Sequence, residues 1–546
     1  MHDAFNQHFR FGSAGWSGED DLRRAGLLRG GGLYIGQSPG KHAAHRGAAS
    51  ALRLDTDAPS LTIAGAGAGK MRDLLAMAVA GNAGQRNFIL DPRGEIAAVT
   101  MPNFVMSGAY AYFWNPCAIA GLPRHRCNPL DILNLDSPRL HADCKFICES
   151  LIPLSGSGNG KYFELRAREW ADAILKARVE RNGTVSFPDL YRTINIIESD
   201  PIAWADELEF MLASRFEGVR RTAAEMLTKQ QDSSKEFGSI LGELYAYLSF
   251  LDDPMLQEAL EEPDFSLTAL NDPLQAATLF VNVPIEYVSL WGPVLRTLFT
   301  VAMLYKSRAP QAPRLTMIVD EAGQLGNFES LLRAFTFGRG AGVKAWALFQ
   351  DTGQIISNYG SAALQGFFGS AASRQFFGVR DYETAQMVSR MLGTQTLEYD
   401  DTLRQADAGR SKFNAAMRIM NGDDPFAAMY DMKHFGEASA HQTKQARPLM
   451  TPDEILAMPE DRQILFISGK NLKPIYAGRA PYFTNAGWAG RFLPNPYHPP
   501  PDRVALPSKH GERFARVITE PVPAPYAHYP QYAGGMWSYV EGYRPD

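Results

Sequence analysis

Residues 61–71 read Leu-Thr-Ile-Ala-Gly-Ala-Gly-Ala-Gly-Lys-Met, and the run that follows, MRDLLAMAVAGN (71–82), carries apolar residues at helical spacing. A short apolar strand, a loop of small residues and then a helix is the context that a phosphate loop needs. Small residues at Gly65, Gly67, Ala68 and Gly69 let backbone N–H groups turn inward around phosphate oxygens, and the helix N-terminus adds a favourable dipole. Lys70 is placed to reach the β- and γ-phosphates. The match to G-x-x-x-x-G-K-[ST] is imperfect: Ala64 stands for the first Gly, and Met71 for the hydroxyl residue that ordinarily ligates Mg²⁺. Without that hydroxyl the ion leans on water and on a carboxylate elsewhere. Read alone, the stretch also fits a Gly/Ala-rich turn with an incidental lysine.

A second stretch supplies the carboxylate. Leu315-Thr316-Met317-Ile318-Val319 is an apolar run ending in Asp320-Glu321. Beside a phosphate loop, the first acid of such a strand end positions Mg²⁺ and the second polarises the attacking water. Two solvated acids at a strand end are common, but the loop and the acidic pair together point to an NTP site. Gln350, at the end of the strand 344–349, fits a residue that orients water or senses the γ-phosphate. Arg339, in the Gly-rich turn before that strand, fits a guanidinium offered from a neighbouring subunit. Each, taken singly, equally fits a surface polar residue. Ser155–Tyr162 (SGSGNGKY) imitates a phosphate loop, but it follows a helical pattern and carries Tyr162 at the hydroxyl position, so it reads as an interhelical loop.

Outward from these motifs, residues 1–31 form a Gly/Arg-rich lead-in. Strand-like runs GGLYIGQ (31–37), ALRLD, SLTIAG, NFIL and AYAYFW then alternate with loops and helix, the opening of an α/β parallel sheet. From 138 to 265 the apolar residues recur at helical spacing with almost no strand signal, which reads as an all-α inserted domain. The strand–helix texture returns over 266–494, in ATLFVNV, LTMIVDE, AWALFQD, RQFFGV and QILFIS. One sheet, split into a first part over 32–137 and a second over 266–494, explains this better than separate domains. Asp400–Gln445 is polar and Met/Gly-rich without clear period and reads as an insertion or mobile loop. Residues 495–546 are dense in Pro and Tyr and read as an extended tail. Tyr526, Tyr529, Tyr532, Trp537, Tyr539 and Tyr543 there suit either a partner-binding strip or a disordered tail.

The chain has 546 residues with Lys+Arg 54 against Asp+Glu 59, a formal net charge of -5. A chain this long buries a large core. Hydrophobic content of 45% and charged content of 21% exclude wholesale disorder. The slightly acidic balance excludes a basic nucleic-acid coat but allows a local basic groove or ring lumen. Lys161, Arg166, Arg168, Lys176 and Arg178 cluster on one helical run, with Arg220-Arg221 further on, and read as either a solvated face or a DNA-facing one. The four cysteines, Cys117, Cys127, Cys144 and Cys148, are too few for a disulfide scaffold. Their spacing is poor for zinc, although His125 and His141 lie near them. Residues 1–20 lack the apolar core of a signal peptide, and no apolar run reaches the roughly 18 residues of a spanning helix. The expectation is a cytoplasmic protein without a transmembrane segment.

Together these blocks resemble the coupling-protein ATPases of type IV secretion and conjugative DNA transfer. The resemblance runs from about Gly32 to Ala486. FILDPRGE (88–95) is similar to the family's Asp-Pro-Lys-Gly-Glu element, with Arg93 for Lys, and NPLDIL (128–133) to its Asn-Pro-Leu element. IVDEAGQLG (318–326) is similar to its acidic strand. GRGAGVKAWALFQDTGQIISNYG (338–360) resembles the block carrying a trans-acting Arg and a sensor Gln, and 447–475 resembles the segment that closes the sheet.

The resemblance implies a RecA-like P-loop NTPase: an α/β fold with a mainly parallel sheet, interrupted by the all-α domain that recruits DNA–relaxase or protein substrates. It implies ATP and Mg²⁺ at the interfaces of a homo-hexamer, with type IV secretion channel components as partners. Family members begin with transmembrane helices, so a place peripheral to the inner membrane is expected. Three readings follow: a natural anchorless variant, a chain whose anchor has been removed, or a member docking through a separate membrane partner. The roles implied are phosphate binding by Lys70, Mg²⁺ by Asp320, water activation by Glu321, γ-phosphate sensing by Gln350 and trans action by Arg339. Two rival readings remain: a recruitment platform that binds nucleotide weakly, suggested by Met71, and a DNA-translocating ATPase not tied to secretion, suggested by the lack of an anchor.

Overall fold

The computed structural model describes residues 9–544 apart from 10, 29, 40–49, 155–157, 401, 421–425, 427–429, 431–432, 434–441, 485–487, 489–490, 499–501, 509–510, 530–531 and 543. The chain divides into two units. One comprises Met1–Ser17, Val379–Met458 and Lys473–Ile475; the other comprises Gly18–Gly378, Pro459–Leu472 and Tyr476–Asp546. The helical stretch belongs to the larger unit, and the smaller unit joins N-terminal residues to two segments drawn from within 266–494.

The larger unit is built on an eleven-stranded sheet. Its strands are β1 (Leu33–Gln37), β2 (Ala51–Leu54), β3 (Ser60–Ala64), β4 (Arg86–Leu90), β5 (Tyr110–Trp114), β6 (Ala277–Val281), β7 (Leu315–Val319), β8 (Val343–Phe349) and β9 (Ser373–Phe377). Two later strands, Arg462–Ile467 and Ile475–Gly478, complete it. The run β9-β3-β8-β7-β4-β6-β5 is parallel throughout, and Arg462–Ile467 joins β9 antiparallel. β3, β4, β6, β7 and β8 are buried along their whole length. Strands covered on both faces bury every side chain, which is why they read as unbroken apolar runs rather than alternating ones.

Several polar groups of the sheet form one connected chain of hydrogen bonds. Trp346 donates Nε1 to Thr62 Oγ1 at 2.9 Å, Thr62 donates to Gln375 Oε1 at 2.8 Å, and Gln375 and Gln463 both donate to Ile35 O at 2.9 Å. A buried polar group without such a partner is costly, so this rung ties together the registers of five strands of the sheet.

The segment after the phosphate loop departs from the amphipathic helix expected. Met71–Leu75 is a π-turn, with Ala76 N–H donating to Met71 O, and Ala76–Gly81 continues as α-helix. Asp73–Ala80 is buried on every side, between the sheet and the helix Glu95–Ser107. Single π-turns inside helices are uncommon and gather at functional sites.

Between β5 and β6 the described residues contain helices and no strand. The helices include Leu140–Leu151, Gly158–Asn182, Phe187–Ser199, Pro201–Leu212, Glu217–Asp232, Ser234–Leu248 and Pro254–Leu260. Their starts follow capping rules: Ser186 and Asp189 form a reciprocal capping box, and Asp200 accepts from Ile202 and Ala203 N–H. The imitation phosphate loop falls partly on residues 155–157, outside the described residues, and Lys161 sits in the first turn of a helix. Three members of the basic cluster are ion-paired. Arg166 pairs with Glu169 and Glu225, Lys176 with Asp172 at 2.5 Å, and Arg178 with Glu207 at 3.3 Å. Cys127, Cys144 and Cys148 are buried free thiols, and no metal-ligating cluster occurs among the described residues.

Two expectations are corrected. Within the smaller unit, part of the segment 400–445 is regular: Thr402–Met420 is a helix, and β10 (Thr394–Asp400) pairs antiparallel with β11 (Gln442–Pro448). The C-terminal region is not simply extended. Arg503–Ser508, Gly511–Pro521 and Met536–Val540 form a three-stranded antiparallel sheet. Trp537 and Tyr532 are buried there, and Tyr526 stacks on Trp537, so these rings build a small core rather than a partner strip; Tyr543 lies outside the described residues. No helix among the described residues is long and apolar enough to cross a membrane.

Trp346 is fully buried at the centre of the sheet. Trp346→Ala removes both the ring and the donor to Thr62, and the expected loss is about 3–5 kcal/mol. Urea unfolding checks this; a loss below about 1 kcal/mol would show that the polar rung does not hold the sheet.

Candidate nucleotide site

Parallel strands end on the same edge of a sheet, and ligands bind outside their carboxyl ends. Here β3 runs into the loop Gly65–Gly69, β4 into Asp91, β7 into Asp320-Glu321, β8 into Gln350 and β9 into Gly378. The ends of β3, β4, β7 and β8 line a cavity of about 760 Å³. That lies in the size range of small-molecule and cofactor sites.

The loop is held open by backbone that favours glycine. Gly67 and Gly69 have φ of 69° and 80°. Ala68 N–H donates to Gly65 O at 3.2 Å. Gly378 packs directly behind: a Cβ there would lie 2.4 Å from Ala68 Cβ, and its φ of +56° is strained for any other residue.

A clamp from the far end of the chain fixes the same loop. Arg479 is buried and donates Nη1 to Ala68 O at 2.7 Å. The same nitrogen lies 3.3 Å from Asp73 Oδ2, and the guanidinium stacks 3.9 Å over the Phe377 ring. Asp73 also accepts from Arg72 Nε at 2.6 Å. Burial lowers the Arg479 pKa, with Asp73 opposing it. A buried charge persists when it is paired and hydrogen-bonded, and this one is both.

Lys70 is nearly buried, its Nζ 2.6 Å from Glu321 Oε1 and 3.9 Å from Asp320 Oδ1. Glu321 Oε2 accepts from Gln350 Nε2 at 3.0 Å, and the Gln350 backbone N–H donates to Gln354 Oε1 at 2.9 Å. The Glu321 backbone sits at φ 53°, a left-handed conformation that a non-glycine residue adopts at a cost of about 1–2 kcal/mol. Its N–H donates to Asp320 Oδ1 at 3.0 Å, and its carbonyl accepts from Gln324 N–H at 2.9 Å, which hold the turn. Burial raises the Asp320 carboxyl to about 6, against the pull of Lys70 and helped by Glu321.

Gly67, Ala68, Gly69, Lys70, Met71, Asp320, Glu321 and Gln350 therefore line one cavity, while Gly65 supports the loop from behind its rim. Arg339 is not brought there. It is exposed and precedes the opposite end of β8. The donor set suits a hard cation held by one or two carboxylates together with phosphate and water oxygens. The thioether of Met71, which lines the cavity, is too soft to take the usual hydroxyl's place.

Several cavity residues carried no local signal. Arg479 and Gly378 are isolated in sequence from the motifs they support. Tyr482, Phe483, Asn495 and His498 line the opposite wall. Leu493 N–H donates to Val99 O at 2.9 Å, and Tyr497 Oη donates to Arg93 O at 3.1 Å, so this segment lies along the helix Glu95–Ser107. Asp91 also lines the cavity, but its carboxylate is committed: it accepts from Ala97 N–H at 2.8 Å and Asn282 Nδ2 at 3.2 Å, and burial pushes it well above its ordinary value.

Comparison with known proteins places this geometry. Residues 15–515 match the model of a family described as type IV secretory system conjugative DNA transfer. Protein VirD4 of Agrobacterium fabrum is 22% identical over 477 residues, covering 85% of this chain and 65% of the relative. The conjugal transfer protein TraG of the same organism is 21% identical, covering 79% and 62%. The chain thus spans less than two thirds of the length of these relatives. Among solved structures, the bacterial conjugative coupling protein TrwBdeltaN70 with sulphate has a TM-score of 0.57 at 17% identity, covering 86% of this chain and 95% of that one. The plasmid coupling protein TrwB in complex with ADP and Mg²⁺ has the same TM-score at 18% identity, covering 86% and 93%. The shared fold is the α/β, RecA-like P-loop NTPase fold with its mainly parallel sheet.

Gly378→Ala should displace the phosphate loop through Ala68. The expected result is ADP binding weakened at least about 10-fold by calorimetry. Unchanged affinity would show that the loop conformation does not depend on this packing.

Proposed function

Because the chain belongs to the type IV secretory system conjugative DNA transfer family, we propose that it is an ATPase that drives DNA, a DNA–relaxase complex or a protein substrate into a secretion or conjugation channel. The observation that carries this reading is the convergence of Lys70, Asp320, Glu321 and Gln350 on one cavity at the carboxyl edge of the sheet. That TrwB has been solved with ADP and Mg²⁺, and with a non-hydrolysable ATP analogue, supports ATP and Mg²⁺ as the ligands here.

In this reading the loop amides and Lys70 cradle the β- and γ-phosphates. Asp320 holds Mg²⁺, which when bound neutralises charge developing between the phosphates. Glu321 accepts a proton from the attacking water, oriented by the amide of Gln350. The strained backbone of Glu321 aims its carboxylate into the cavity rather than along the strand. Arg339 serves a different site. β8, Val343–Phe349, separates it from Gln350 by roughly 20 Å at about 3.3 Å per residue, so it cannot reach the cavity of its own chain. A homo-hexamer, in which each Arg339 faces the neighbour's nucleotide, gives it a role.

A second reading rests on Met71. If its thioether leaves the cation too weakly held, the protein is a nucleotide-responsive recruitment platform that does not turn over. ATP hydrolysis across a protein concentration series, with and without single-stranded DNA, separates the two.

Glu321→Gln is expected to lower turnover at least about 100-fold while ATP-analogue affinity changes little. Near-normal turnover would remove Glu321 from the role of base. Arg339→Ala should be inactive alone and regain part of its activity when mixed with Lys70→Ala chains, because the two lesions then complement across an interface. Failure to complement would count against action in trans.

A further inference from the structure

A second polar cavity, of about 250 Å³, lies between the helix Leu140–Leu151, the helix Gly158–Asn182 and the helix Glu329–Thr336. Three guanidinium groups line it: Arg168, Arg296 and Arg333. Arg296 is 7% exposed. It donates Nε to Ser150 O at 3.0 Å and Nη1 to Leu325 O at 2.9 Å, which leaves Nη2 without a hydrogen-bond partner among the described residues. No carboxylate pairs with it, and burial lowers it to about 10. Arg168 is half-buried and donates Nε to Ile152 O at 2.6 Å. It too makes no ion pair among the described residues, and burial lowers its pKa against the pull of the nearby Glu149 and Glu164 carboxylates. It is the member of the basic cluster on its helix that lines this cavity instead of being neutralised.

Buried cations are ordinarily paired, because desolvating a lone charge costs several kcal/mol. Arg296, buried and without an ion pair, is therefore a guanidinium whose charge the protein does not directly meet, and half-buried Arg168 on the same cavity makes no ion pair either. The walls meet that charge only in part. Arg333 lies 3.3 Å from Glu149 and 3.5 Å from Glu329, so those two half-exposed carboxylates are already engaged at the rim. The helix Glu329–Thr336 begins at this cavity with no side-chain cap, so its N-terminal N–H groups and dipole add to the positive field.

We propose that Arg168, Arg296 and Arg333, with the N-terminus of the helix Glu329–Thr336, form a binding site for a free phosphate-type oxyanion. The cavity's volume admits an ion of that size with a few waters, and guanidinium groups match tetrahedral oxyanions with paired N–H donors. The site is independent of the nucleotide cavity and of the function proposed for it. It is nevertheless joined to that cavity by one side chain. Arg296 holds the carbonyl of Leu325, the last residue of the turn Ala322–Leu325 that follows Glu321, and its Nε holds Ser150 on the helical segment. Anion occupancy thus bears on the position of the acidic strand end relative to the helices.

Titration calorimetry with inorganic phosphate tests the proposal in a Lys70→Ala background, where the phosphate loop no longer competes for the ion. One phosphate per chain is expected to bind. Adding Arg168→Gln or Arg333→Gln should each weaken it at least about 10-fold, with circular dichroism unchanged. Absence of phosphate binding to the Lys70→Ala protein, or undiminished binding in either double variant, overturns the site. Should Lys70→Ala fail to fold, the wild-type chain serves instead: two binding steps are expected, and Arg168→Gln must remove one of them.

Discussion

The parallel pairing of β3, β8 and β7 is the constraint on which the rest depends. It fixes Ser60 opposite Trp346 and Met317 opposite Ala345, so the three strands end together. Lys70 can then meet Glu321 at 2.6 Å although 251 residues separate them in the chain. A one-residue slip would turn every side chain of a strand to the other face and move the acidic pair away from the lysine. The polar rung from Trp346 through Thr62 and Gln375 to Ile35 guards against such a slip at the middle of the sheet.

Around that frame, charge is arranged in closed pairs. Asp73 is held by Arg72 and Arg479, Asp91 by backbone N–H groups and Asn282, and Glu207 by Arg178 and Arg181. The groups around the turn Ala322–Leu325 are arranged differently. Asp320 is largely but not fully buried, and desolvation raises its carboxyl, with Lys70 as its near cation, which suits a carboxylate set to meet a ligand's charge. Arg168 and Arg296 are the reverse case, guanidinium groups that make no ion pair among the described residues, although the Glu149 and Glu164 carboxylates act on Arg168 from nearby. Both departures lie on either side of the turn Ala322–Leu325, which joins the acidic strand end to the helical segments.

The correspondence between residue pattern and site follows from how each residue acts. Lys70, Asp320, Glu321 and Gln350 sit at strand ends marked by adjacent apolar runs, so their chemistry and place were both written locally. Arg479, Gly378 and His498 act through space on elements hundreds of residues away, and no spacing rule links them to the loop. The helix Thr402–Met420 was obscured by its Gly and polar content, and the C-terminal sheet by a proline density that usually marks extended chain. Packing within each unit overrode both signals.

Sequence by itself determined the fold class, the phosphate loop, the acidic strand and the helical stretch, because apolar periodicity and small-residue loops are local consequences of backbone geometry. Tertiary structure alone decided which strand end faces which and how Arg479 and Gly378 brace the loop. It also decided that Arg168, one residue of a basic cluster, lines a cavity and makes no ion pair among the described residues. These are distances between remote parts of the chain, and only strand order and register set them.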